Sequence, residues 1–537
     1  MKPLKYLISK EMSFLRKWES KKVIKIKRFL FAQERQIKVS MKSIKSVLYL
    51  AIVFIFLSCS KEDGKIDFTF LQLNDVYEIA PIQGGEFGGM ARVETVHQQL
   101  LQENKNTMLV MAGDFLNPSL LGTVTYNGER IRGKQMVETM NAMNFDLVAF
   151  GNHEFDLSAN DLQKRLDESN FNWITSNVLE NKDGKTAPFS NKQNKVSETF
   201  IKEFTDADGT KIKVGFISVC VPSNPRSFVT YKDALEEAKR SYNDLKDKVD
   251  VVFGLTHVKV SQDKEILKTL PNIPLIMGGH EHTNMMVPVG DSFVAKADAN
   301  AKSAYIHRIS FDTKTKKVVI KSELKEINEA IVEDEKVGAV VQKWQTILTK
   351  KIKEVIENPN EIILNAKTPL DARDKPIRST QTNMGELITK SMSFAFDNKV
   401  DCALVNVGSI RIDDELEGNI TAVDIFRVLP YGGAVLKVQL KGSLLQKVLD
   451  YGENARGTGA YLQRYNVEKT KNKWLVKSKP INPNKTYTVA FSDYLLKGFD
   501  IPFLSNKNKE VLSVSTPIST DVSFDIRNAV ILYLKSL

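Results

Sequence analysis

Gly151-Asn152-His153-Glu154-Phe155-Asp156 is the stretch of sequence that decides the fold. It follows the apolar run 147–150 (Leu-Val-Ala-Phe), which predicts a buried strand. The end of that strand therefore delivers an amide, an imidazole and two carboxylates into one loop. Packing alone does not explain such a cluster, whereas a site fed by the ends of several strands does.

Short apolar runs alternate with helical patterns from residue 66 to about residue 310, which is typical of βα units. The runs cover residues 68–73, 108–111, 147–150, 173–178, 214–219, 251–255 and 274–277. Two helical patterns cover residues 90–102 and 133–143. Ligands bind beyond the carboxyl ends of the strands in an open α/β sheet, so polar residues that follow the runs are candidate functional residues.

Polar residues follow these runs at five places. They are 74–77 (Asn-Asp-Val-Tyr), 113–114 (Gly-Asp), 151–156, 256–257 (Thr-His) and 278–282 (Gly-Gly-His-Glu-His). The chain has six histidines, and four of them lie at these places: His153, His257, His280 and His282. Random scattering would rarely place them so. His97 and His307 lie elsewhere and are interpreted as structural residues.

Asp, Asn and His side chains without Cys suit borderline divalent ions such as Mn²⁺, Zn²⁺, Fe²⁺ or Co²⁺. Two ions about 3.5 to 4 Å apart need a ligand that bridges them, and Asp114 in its Gly-Asp turn is the candidate. Solvent held between such ions becomes hydroxide near neutral pH and attacks phosphorus in line. The ions also offset the charge that grows on the phosphoryl oxygens.

The motifs occur in the order Asp-x-(His or Tyr), Gly-Asp, Gly-Asn-His-Glu, a lone His and Gly-His-x-His, and they resemble the calcineurin-like metallophosphoesterases. The chain resembles the bacterial 5′-nucleotidase and UDP-sugar hydrolase group over roughly residues 66–505. The resemblance implies a four-layer α/β/β/α metallophosphoesterase domain. A long helix would join it to an α+β 5′-nucleotidase C-terminal domain, with a hinge near residues 333–360.

The resemblance also assigns ligands to two ions. One ion would be surrounded by Asp75, Tyr77, Asp114 and His282. The other would be surrounded by Asp114, Asn152, His257 and His280. His153 would face the phosphate and protonate or hydrogen-bond the leaving oxygen, and Asp156 would orient its imidazole. Glu154 has no assigned role beyond support of its loop.

Tyr77 departs from the family pattern, which usually has His at this position. A neutral phenol is a poor ligand, and a phenolate needs a strongly acidic metal because the phenol has a reference pKa of about 10. The first ion would then bind more weakly, or it would be a harder, trivalent ion such as Fe³⁺.

The C-terminal half resembles the family's substrate-binding domain. Residues 406–411 (Asn-Val-Gly-Ser-Ile-Arg) match Asn-Gly-Gly-Gly-Ile-Arg in part, and residues 429–433 (Leu-Pro-Tyr-Gly-Gly) match Leu-Pro-Phe-Gly-Gly. A helix is expected over residues 383–395, with Asn383 as its N-cap. The substrate-binding candidates are Arg378, Asn406, Arg411, Tyr431, Tyr494 and Asp500.

By analogy, Tyr431 and Tyr494 would stack on a nucleobase, an interaction worth about 1 to 3 kcal/mol per base. Asp500 would accept a ribose hydroxyl, and the arginines would meet phosphate or sugar. The loop 496–502 lacks the family's usual Gly-Gly-Asp-Gly. Either tyrosine could therefore be an ordinary core or surface residue, and the arginines could be surface ion pairs.

The positive charge of the chain is local. Basic residues exceed acidic ones by 11 within residues 1–58, which equals the formal net charge of +11. The rest is close to neutral, so binding to a nucleic-acid polymer loses its main support. The apolar run 47–57 is too short to span a bilayer and follows two lysines, which is typical of a signal peptide.

The run ends in Phe56-Leu57-Ser58-Cys59, which resembles a bacterial lipobox. Cys59 would then be lipidated, and the protein would be an outer-membrane lipoprotein of the cell envelope that faces the periplasm or the outside. A plain cleaved signal is the alternative. Met41 is a natural start for the signal peptide. Residues 1–40 are then either an upstream extension that is not translated or a basic membrane-surface segment.

Four regions are expected. Residues 1–62 form a basic leader with signal peptide and lipobox, residues 63–332 the metallophosphoesterase domain, residues 333–360 a linker helix and residues 361–537 the substrate-binding domain. The clearest helical pattern covers residues 333–357. Cys220 and Cys402 lie in apolar runs, where buried free thiols are expected. No obligate protein partner is indicated.

The predicted function is release of phosphate from nucleoside 5′-phosphates by a dimetal phosphohydrolase anchored to the membrane by lipid. Two alternatives remain. The same fold could act on 2′,3′-cyclic nucleotides, UDP-sugars or sugar phosphates. Alternatively, the chain could be a ligand-binding surface lipoprotein whose catalysis is impaired by Tyr77.

Overall fold

The computed structural model describes residue 25 and residues 63–222, 226–471 and 473–537. The chain divides into one unit of residues 1–63 and 207–210 and a second unit of residues 64–206 and 211–537. The predicted lipobox with Cys59, and the apolar run before it, lie outside the described residues. In the described ranges no helix combines the length and apolar character needed to cross a bilayer. The fold and the site both lie in the second unit.

The N-terminal half of this unit is built from short strands and helices in alternation. Its strands are β1 (Lys65–Leu73), β2 (Thr107–Met111), β3 (Thr125–Tyr126), β4 (Glu129–Arg130), β5 (Leu147–Ala149), β6 (Asn172–Ile174), β7 (Val178–Lys182), β8 (Lys185–Ala187), β9 (Val196–Ser197), β10 (Thr199–Thr205), β11 (Lys211–Ile217), β12 (Val229–Tyr231), β13 (Val251–Thr256), β14 (Leu275–Gly278), β15 (Met285–Val289), β16 (Ser292–Lys296), β17 (Ser303–Asp312) and β18 (Val318–Glu326). Its helices are α1 (Met90–Glu103), α2 (Leu120–Thr123), α3 (Lys134–Ala142), α4 (Ala159–Glu168), α5 (Ala234–Leu245) and α6 (Val260–Thr269).

Two large sheets form the centre of this half. The first has the order β18-β17-β1-β2-β5-β6-β9, and the second has the order β10-β11-β13-β14-β16-β15. The inner strands of both sheets run parallel, and antiparallel strands close the edges at β17–β18, β10 and β15. Parallel strands end at a common edge, so the loops after β1, β2, β5, β13 and β14 are brought together.

Strand β1 shows why its sequence is apolar on both faces. Phe68 and Phe70 point into the core between the two sheets, where their rings contact Phe204, Phe216 and Phe253. The alternate residues 71 and 73 pack outward, beneath α1 and α3. Helices α5 and α6 cover the second sheet in the same way. The predicted α/β/β/α order of four layers is confirmed.

A long helix follows the first half, α7 (Glu335–Ile352), and packs against α1 and α3. Asp334 caps it by accepting a hydrogen bond from the Val337 amide at 2.8 Å. The sequence pattern predicts a helix over residues 333–357, but the helix ends at Ile352. Residues 353–356 form turns that bond back to the last helical carbonyls, and they keep the apolar spacing without being helical.

The C-terminal half has a mixed five-stranded sheet in the order β23-β20-β27-β22-β28. The strands of the C-terminal half as a whole are β19 (Ile362–Asp371), β20 (Cys402–Asn406), β21 (Glu415–Thr421), β22 (Val435–Lys441), β23 (Leu462–Tyr465), β24 (Val467–Thr470), β25 (Lys473–Val476), β26 (Lys479–Pro480), β27 (Thr486–Ser492) and β28 (Val511–Ser515). Its helices are α8 (Asp374–Ile377), α9 (Asn383–Phe394), α10 (Ala422–Val428), α11 (Gly442–Asn454) and α12 (Ile526–Lys535). Helices α9 and α12 cover one face and α11 the other, an α+β arrangement.

The N-cap predicted for α9 is wrong by one residue. Thr382, not Asn383, accepts the capping hydrogen bond, from the Gly385 amide at 3.1 Å. Asn383 is the first helical residue, and its side chain instead bonds the backbone of Pro369 and Asp371. Asn383 therefore ties α9 to the end of β19.

Candidate functional site

The loops at the carboxyl ends of the strands hold three donor residues in strained backbone conformations. The φ angles are 53° for Asp75, 57° for Asp114 and 82° for His280. Non-glycine residues in this region cost about 1 to 3 kcal/mol and cluster at functional sites. Gly151 permits a close approach of two loops, because a Cβ atom there would lie 2.2 Å from Asp114 Oδ1.

Asp75, Asp114 and His257 form a buried trio whose donor atoms all lie within 4.8 Å of one another. His257 donates from Nδ1 to the Ala112 carbonyl at 2.7 Å, which aims Nε2 at the carboxylates. Nε2 lies 3.0 Å from Asp114 Oδ2, yet among the described residues it makes no hydrogen bond. A buried nitrogen aimed at two carboxylates without hydrogen-bond geometry fits ligands that share a cation.

The remaining donors predicted for the first ion surround Asp75. His282 Nε2 lies 3.4 Å from Asp75 Oδ1, and the Tyr77 hydroxyl lies 3.1 Å from that nitrogen and 3.5 Å from that oxygen. Burial and the negative charges of Asp114 and Asp75 raise the pKa of Tyr77 well above its usual value. The phenol hydroxyl therefore faces the site as a neutral group.

The remaining donors predicted for the second ion also meet. His280 Nδ1 lies 3.1 Å from Asn152 Oδ1, and the His280 amide donates to Asp75 Oδ2 at 2.9 Å. The rings of His257 and His280 are 5.4 Å apart. All seven residues predicted as ligands thus lie in one cluster.

The electrostatics of this cluster favour a cation. Burial acts to raise the pKa of Asp75, but His257 and His282 outweigh it and hold the pKa at about 2. Burial acts to lower the pKa of both histidines, but the carboxylates around them raise it to about 9 for His257 and about 10 for His282. Burial and the charge of His257 lower the pKa of His280 to about 4. Two imidazoles thus hold protons at positions where they could instead bind a metal ion.

His153 is held through both its backbone amide and its ring. Its amide donates to Asp114 Oδ1 at 2.7 Å, and Nδ1 lies 2.9 Å from Asp156 Oδ2. Arg411 from the C-terminal half reaches the same Asp156 oxygen at 3.2 Å. Burial acts to lower the pKa of His153, but the charge of Asp114 and the bond to Asp156 raise it well above the usual value. The His153 side chain therefore lines the cleft in a protonated form.

Glu154 has a role that the sequence did not reveal. Its carboxylate is completely buried and accepts the backbone amides of Gly151 at 2.6 Å, Asp114 at 2.9 Å, Phe115 at 2.8 Å and Leu116 at 3.1 Å. Burial and the nearby Asp114 charge raise the pKa of Glu154 to about 7 despite these bonds. Glu154 thus locks the loop of Asp114 against the loop of Asn152 and His153.

Asp413 is a second site residue that the sequence did not reveal. It belongs to the C-terminal half, and its Oδ2 lies 3.7 Å from His153 Nε2 and 3.8 Å from His282 Nε2. Burial acts to raise the pKa of Asp413, but the two imidazoles hold it far below the usual range. No local pattern around residue 413 predicts this placement, because it depends on how the two halves pack.

The structure brings the substrate-binding candidates to three places. Arg378 and Arg411 line a cleft of about 720 Å³ that also contains His153, His280 and His282. Tyr431 is 53% exposed and lines a smaller neighbouring pocket with Tyr77 and Asn117. The other three contact one another: Asn406, Tyr494 and Asp500.

That group is joined by hydrogen bonds. Asn406 Nδ2 donates to Asp500 Oδ2 at 2.8 Å, and the Tyr494 hydroxyl donates to Asp500 Oδ1 at 3.5 Å. Burial raises the pKa of Asp500. Phe499, which the motifs did not single out, is 72% exposed with its ring 5.8 Å from that of Tyr494. Two aromatic side chains therefore stand beside the carboxylate.

Family models match both halves of the chain. Residues 68–284 match the calcineurin-like phosphoesterases, and residues 362–505 match the 5′-nucleotidase C-terminal domain. The chain is similar to the 5′-nucleotidase of Bos taurus, with 26% identity over 467 residues that cover 77% of this chain and 78% of that protein. The predicted family resemblance is confirmed.

Two further proteins are similar to the chain. The trifunctional nucleotide phosphoesterase protein YfkN of Bacillus subtilis is 25% identical over 495 residues, which cover 82% of this chain and 32% of that protein. The crystal structure of the 5′-nucleotidase precursor from Thermus thermophilus has a TM-score of 0.61 at 22% identity, covering 88% of this chain and 96% of that one. The latter is a likeness of fold.

Proposed function

The chain belongs to the calcineurin-like phosphoesterases that carry a 5′-nucleotidase C-terminal domain, and we propose that it releases inorganic phosphate from nucleoside 5′-phosphates. It is a metal-dependent phosphoester hydrolase. One observation carries the proposal: a single cleft contains His153 of the first half and Arg378 and Arg411 of the second. Such a cleft suits a substrate that joins a phosphate to a larger polar group.

The ligands proposed for two divalent ions are Asp75, Tyr77, Asp114, Asn152, His257, His280 and His282. Bound ions would supply electrophilic activation of the phosphate and of the attacking water. Asp114 is placed to serve both positions, because its two carboxylate oxygens contact different loops: Oδ2 faces His257 and Oδ1 accepts the His153 amide.

His153 is proposed to deliver a proton to the leaving group. Water supplies the oxygen that joins phosphorus and gives up one proton to solvent, the ester P–O bond breaks, and the leaving oxygen takes the proton from Nε2, which solvent then replaces. Asp156 accepts from Nδ1 at 2.9 Å and so keeps the ring oriented with Nε2 toward the cleft. Arg411, 3.2 Å from the same Asp156 oxygen, couples this proton carrier to the second domain.

The nucleoside is proposed to bind the second domain. Tyr431 and Tyr494 expose their rings, as stacking on a nucleobase requires. Asp500 would accept a ribose hydroxyl, and Asn406 holds that carboxylate through a bond of 2.8 Å. This division places the chemistry in one domain and the selectivity in the other.

A substrate panel tests the proposal. Cleavage of AMP, 2′,3′-cyclic AMP, UDP-glucose and glucose 6-phosphate is measured with Mn²⁺ present by chromatography of the organic products, because the cyclic ester and the UDP-sugar are cleaved without release of inorganic phosphate. We expect AMP to have the highest kcat/KM. Tyr494→Ala should raise the KM for AMP while it leaves cleavage of glucose 6-phosphate, which has no aromatic ring to stack, nearly unchanged. Equal losses on both substrates would refute the stacking role.

A second candidate keeps the site and changes the ester to a cyclic nucleotide, a UDP-sugar or a sugar phosphate. Two observations favour it: similarity to a protein named as a trifunctional nucleotide phosphoesterase, and the loop 496–502, which lacks the family's usual Gly-Gly-Asp-Gly. The same panel separates it from the first, because a preference for one of these esters over AMP selects it.

A candidate of another class is a ligand-binding surface lipoprotein that lost catalysis through Tyr77. The cluster of the other six proposed ligands argues against it. The test is addition of Mn²⁺ to metal-stripped protein, with phosphate release as the readout. If no divalent ion restores release while nucleotide still binds, this candidate replaces the enzyme.

The native metal at the Tyr77 position is proposed to be either a weakly held divalent ion or Fe³⁺. Burial raises the pKa of this phenol, so only a strongly acidic ion would bind it as phenolate. A visible charge-transfer band on iron-loaded protein that disappears in Tyr77→Phe supports Fe³⁺. Absence of the band excludes a tyrosinate–iron bond.

Membrane attachment through Cys59 is proposed from the lipobox resemblance of the sequence. We expect a Cys59→Ser variant, expressed with its leader in a Gram-negative host, to move from the membrane fraction to the soluble fraction. Metabolic labelling with a fatty acid should mark the natural protein alone. Labelling of both proteins would exclude this cysteine as the lipid site.

A further inference from the structure

The ligand set around Asp75 and His282 contains one weak donor. A phenol hydroxyl stands at residue 77, where the family usually has an imidazole. A neutral phenol gives a divalent ion less than an imidazole or a carboxylate does. The Tyr77 hydroxyl nevertheless stays within 3.1 Å of His282 Nε2, so it fills space at this position without supplying a strong bond.

The side chain of Asp413 is built to point into the same place. Its backbone has a φ of 46°, in the left-handed region that few non-glycine residues adopt. Its Oδ1 accepts the Asp374 amide at 2.5 Å, which fixes the carboxylate from the side of the C-terminal half. The other oxygen is thereby aimed at the first domain.

That oxygen, Oδ2, has the spacing of a ligand relative to His282. Donors that share one ion through bonds of about 2.1 Å lie about 3 to 4 Å from one another. Asp75 Oδ1 and the Tyr77 hydroxyl lie 3.4 and 3.1 Å from His282 Nε2. Asp413 Oδ2 lies 3.8 Å from the same nitrogen, inside that range. The carboxylate is negative and faces the open side of the site, toward His153.

We propose that Asp413 is a further metal ligand, supplied by the C-terminal domain to the ion that Asp75 and His282 hold, where it adds a strong donor beside the weak donor Tyr77. The inference rests on the proposed dimetal site. It makes one ion a link between the two domains, so that the first metal is held tightly only while Asp413 is docked. Metal affinity and domain closure are then coupled.

The test is Mn²⁺ binding to metal-stripped full-length protein, followed by calorimetry. In Asp413→Asn we expect the Kd of one of the two ions to rise at least about tenfold, with the other unchanged. The control is Glu415→Gln in the same segment, whose carboxylate faces Arg373 and not the site. It should bind two ions as the natural protein does. Unchanged thermal unfolding of the metal-free variants shows that both fold.

A double-mutant cycle makes the test specific to Tyr77. The substitution Tyr77→His should supply a stronger donor at this position, so the Asp413→Asn loss should become several-fold smaller in that background. A coupling of this sign requires that both residues serve one ion. Equal losses in both backgrounds would mean that Asp413 acts elsewhere.

Two outcomes overturn the inference. Metal binding that is unchanged in Asp413→Asn excludes ligation. If the same variant also shows a lower KM, Asp413 instead occupies the position of the substrate phosphate and competes with it. Neither outcome affects the proposed hydrolysis, because that proposal depends on phosphate release by the natural protein and fails only if AMP is not cleaved.

Discussion

At the scale of single residues, the buried carboxylates of the proposed metal site require a balancing positive charge, either protons or a metal ion. Asp75 and Asp114 are buried with almost no exposure, and burying an unpaired carboxylate costs several kcal/mol. His257 and His282 offset this charge in the metal-free protein by holding protons, because the pKa values are about 9 and about 10. A divalent ion would take over that role and displace the protons.

Metal binding should therefore release protons. Both imidazoles are protonated at pH 7.5 without metal, since their pKa values lie above that pH, and a ligand must be deprotonated to bind. Binding of two Mn²⁺ ions should release about two protons. Each unit of pH below 7.5 should then weaken binding about a hundredfold in total. Calorimetry in buffers of different ionisation enthalpy measures the count, and a count of zero would contradict this charge assignment.

Glu154 should control the metal site without touching metal. Glu154→Gln keeps the shape but replaces an acceptor oxygen with an amide that faces backbone donors, so the loops of Asp114 and Asn152 should separate. We expect Mn²⁺ affinity to fall about tenfold or more. Glu129→Gln, which breaks an exposed pair with Lys164, serves as the control and should change nothing. Unchanged Mn²⁺ affinity in Glu154→Gln would show that the loops of Asp114 and Asn152 keep their positions without the Glu154 carboxylate.

A site residue could be predicted from the sequence when its partners lie near it along the chain, and could not when they lie far away. Residues 151–156 sit at the end of an apolar run, and a functional cluster can be expected from that position, whereas the roles of Asn152, His153 and Asp156 follow from the family resemblance. The partners of Glu154 are backbone amides of another loop, which no side-chain pattern encodes. Asp413 depends on a contact between domains, so its presence at the site could not be predicted.

At the scale of elements, a buried lysine braces two ligand loops. Lys296 at the end of β16 donates at 2.7 Å to the carbonyls of Val258 and Gly279, the neighbours of His257 and His280. Its charge is balanced by Asp263 at 2.8 Å and by Glu281. A single ammonium thus joins the loops after β13 and β14.

Replacement of Lys296 separates its role in positioning the ligand loops from its role in neutralising Asp263. Lys296→Met should lower the unfolding free energy by about 3 to 5 kcal/mol, since it leaves a carboxylate buried without its partner. Lys296→Met should also weaken Mn²⁺ binding, because the carbonyls of Val258 and Gly279 lose their donor. Adding Asp263→Asn should recover part of the lost unfolding free energy, but it should not recover the Mn²⁺ affinity. Thermal unfolding and calorimetry give the two readouts. Recovery of both together would mean that the lysine serves stability alone.

The long strands and helices could be predicted because each carries a complete apolar pattern. Strand β1 alternates between two cores, and α7 keeps one buried face. The end of α7 could not be predicted, because the turns over residues 353–356 continue the apolar spacing of the helix. Short strands such as β3 and β9 have two residues each and no detectable period.

At the scale of the whole molecule, charged groups join the two domains at the site and beside it. Arg411 bonds Asp156 at 3.2 Å within the site. Arg427 is buried, with Nη1 2.9 Å from Asp424 and Nε 3.7 Å from Glu78 of the first domain. The second contact lies outside the proposed catalytic cleft and so tests the interface separately from the chemistry.

Loss of the Arg427 charge should weaken the interface. Arg427→Gln leaves two carboxylates buried without their cation, so the unfolding free energy should fall by about 3 to 5 kcal/mol. Lys343→Gln is the matched control, because it breaks an exposed pair with Glu138 that is worth at most about 1 kcal/mol. Chemical denaturation measures both. Equal, small losses would show that the buried pair does not hold the domains together.

The central claim is that the two domains together form a dimetal phosphohydrolase for nucleoside 5′-phosphates. The most direct measurement is phosphate release from AMP with metal content determined on the same sample, for the natural protein and for Asp114→Asn. We predict two metal ions per chain and phosphate release in the natural protein. The variant should retain less metal and lose activity by at least about a thousandfold. Phosphate release that persists in the variant, or natural protein that binds two ions without cleaving AMP, would contradict the account.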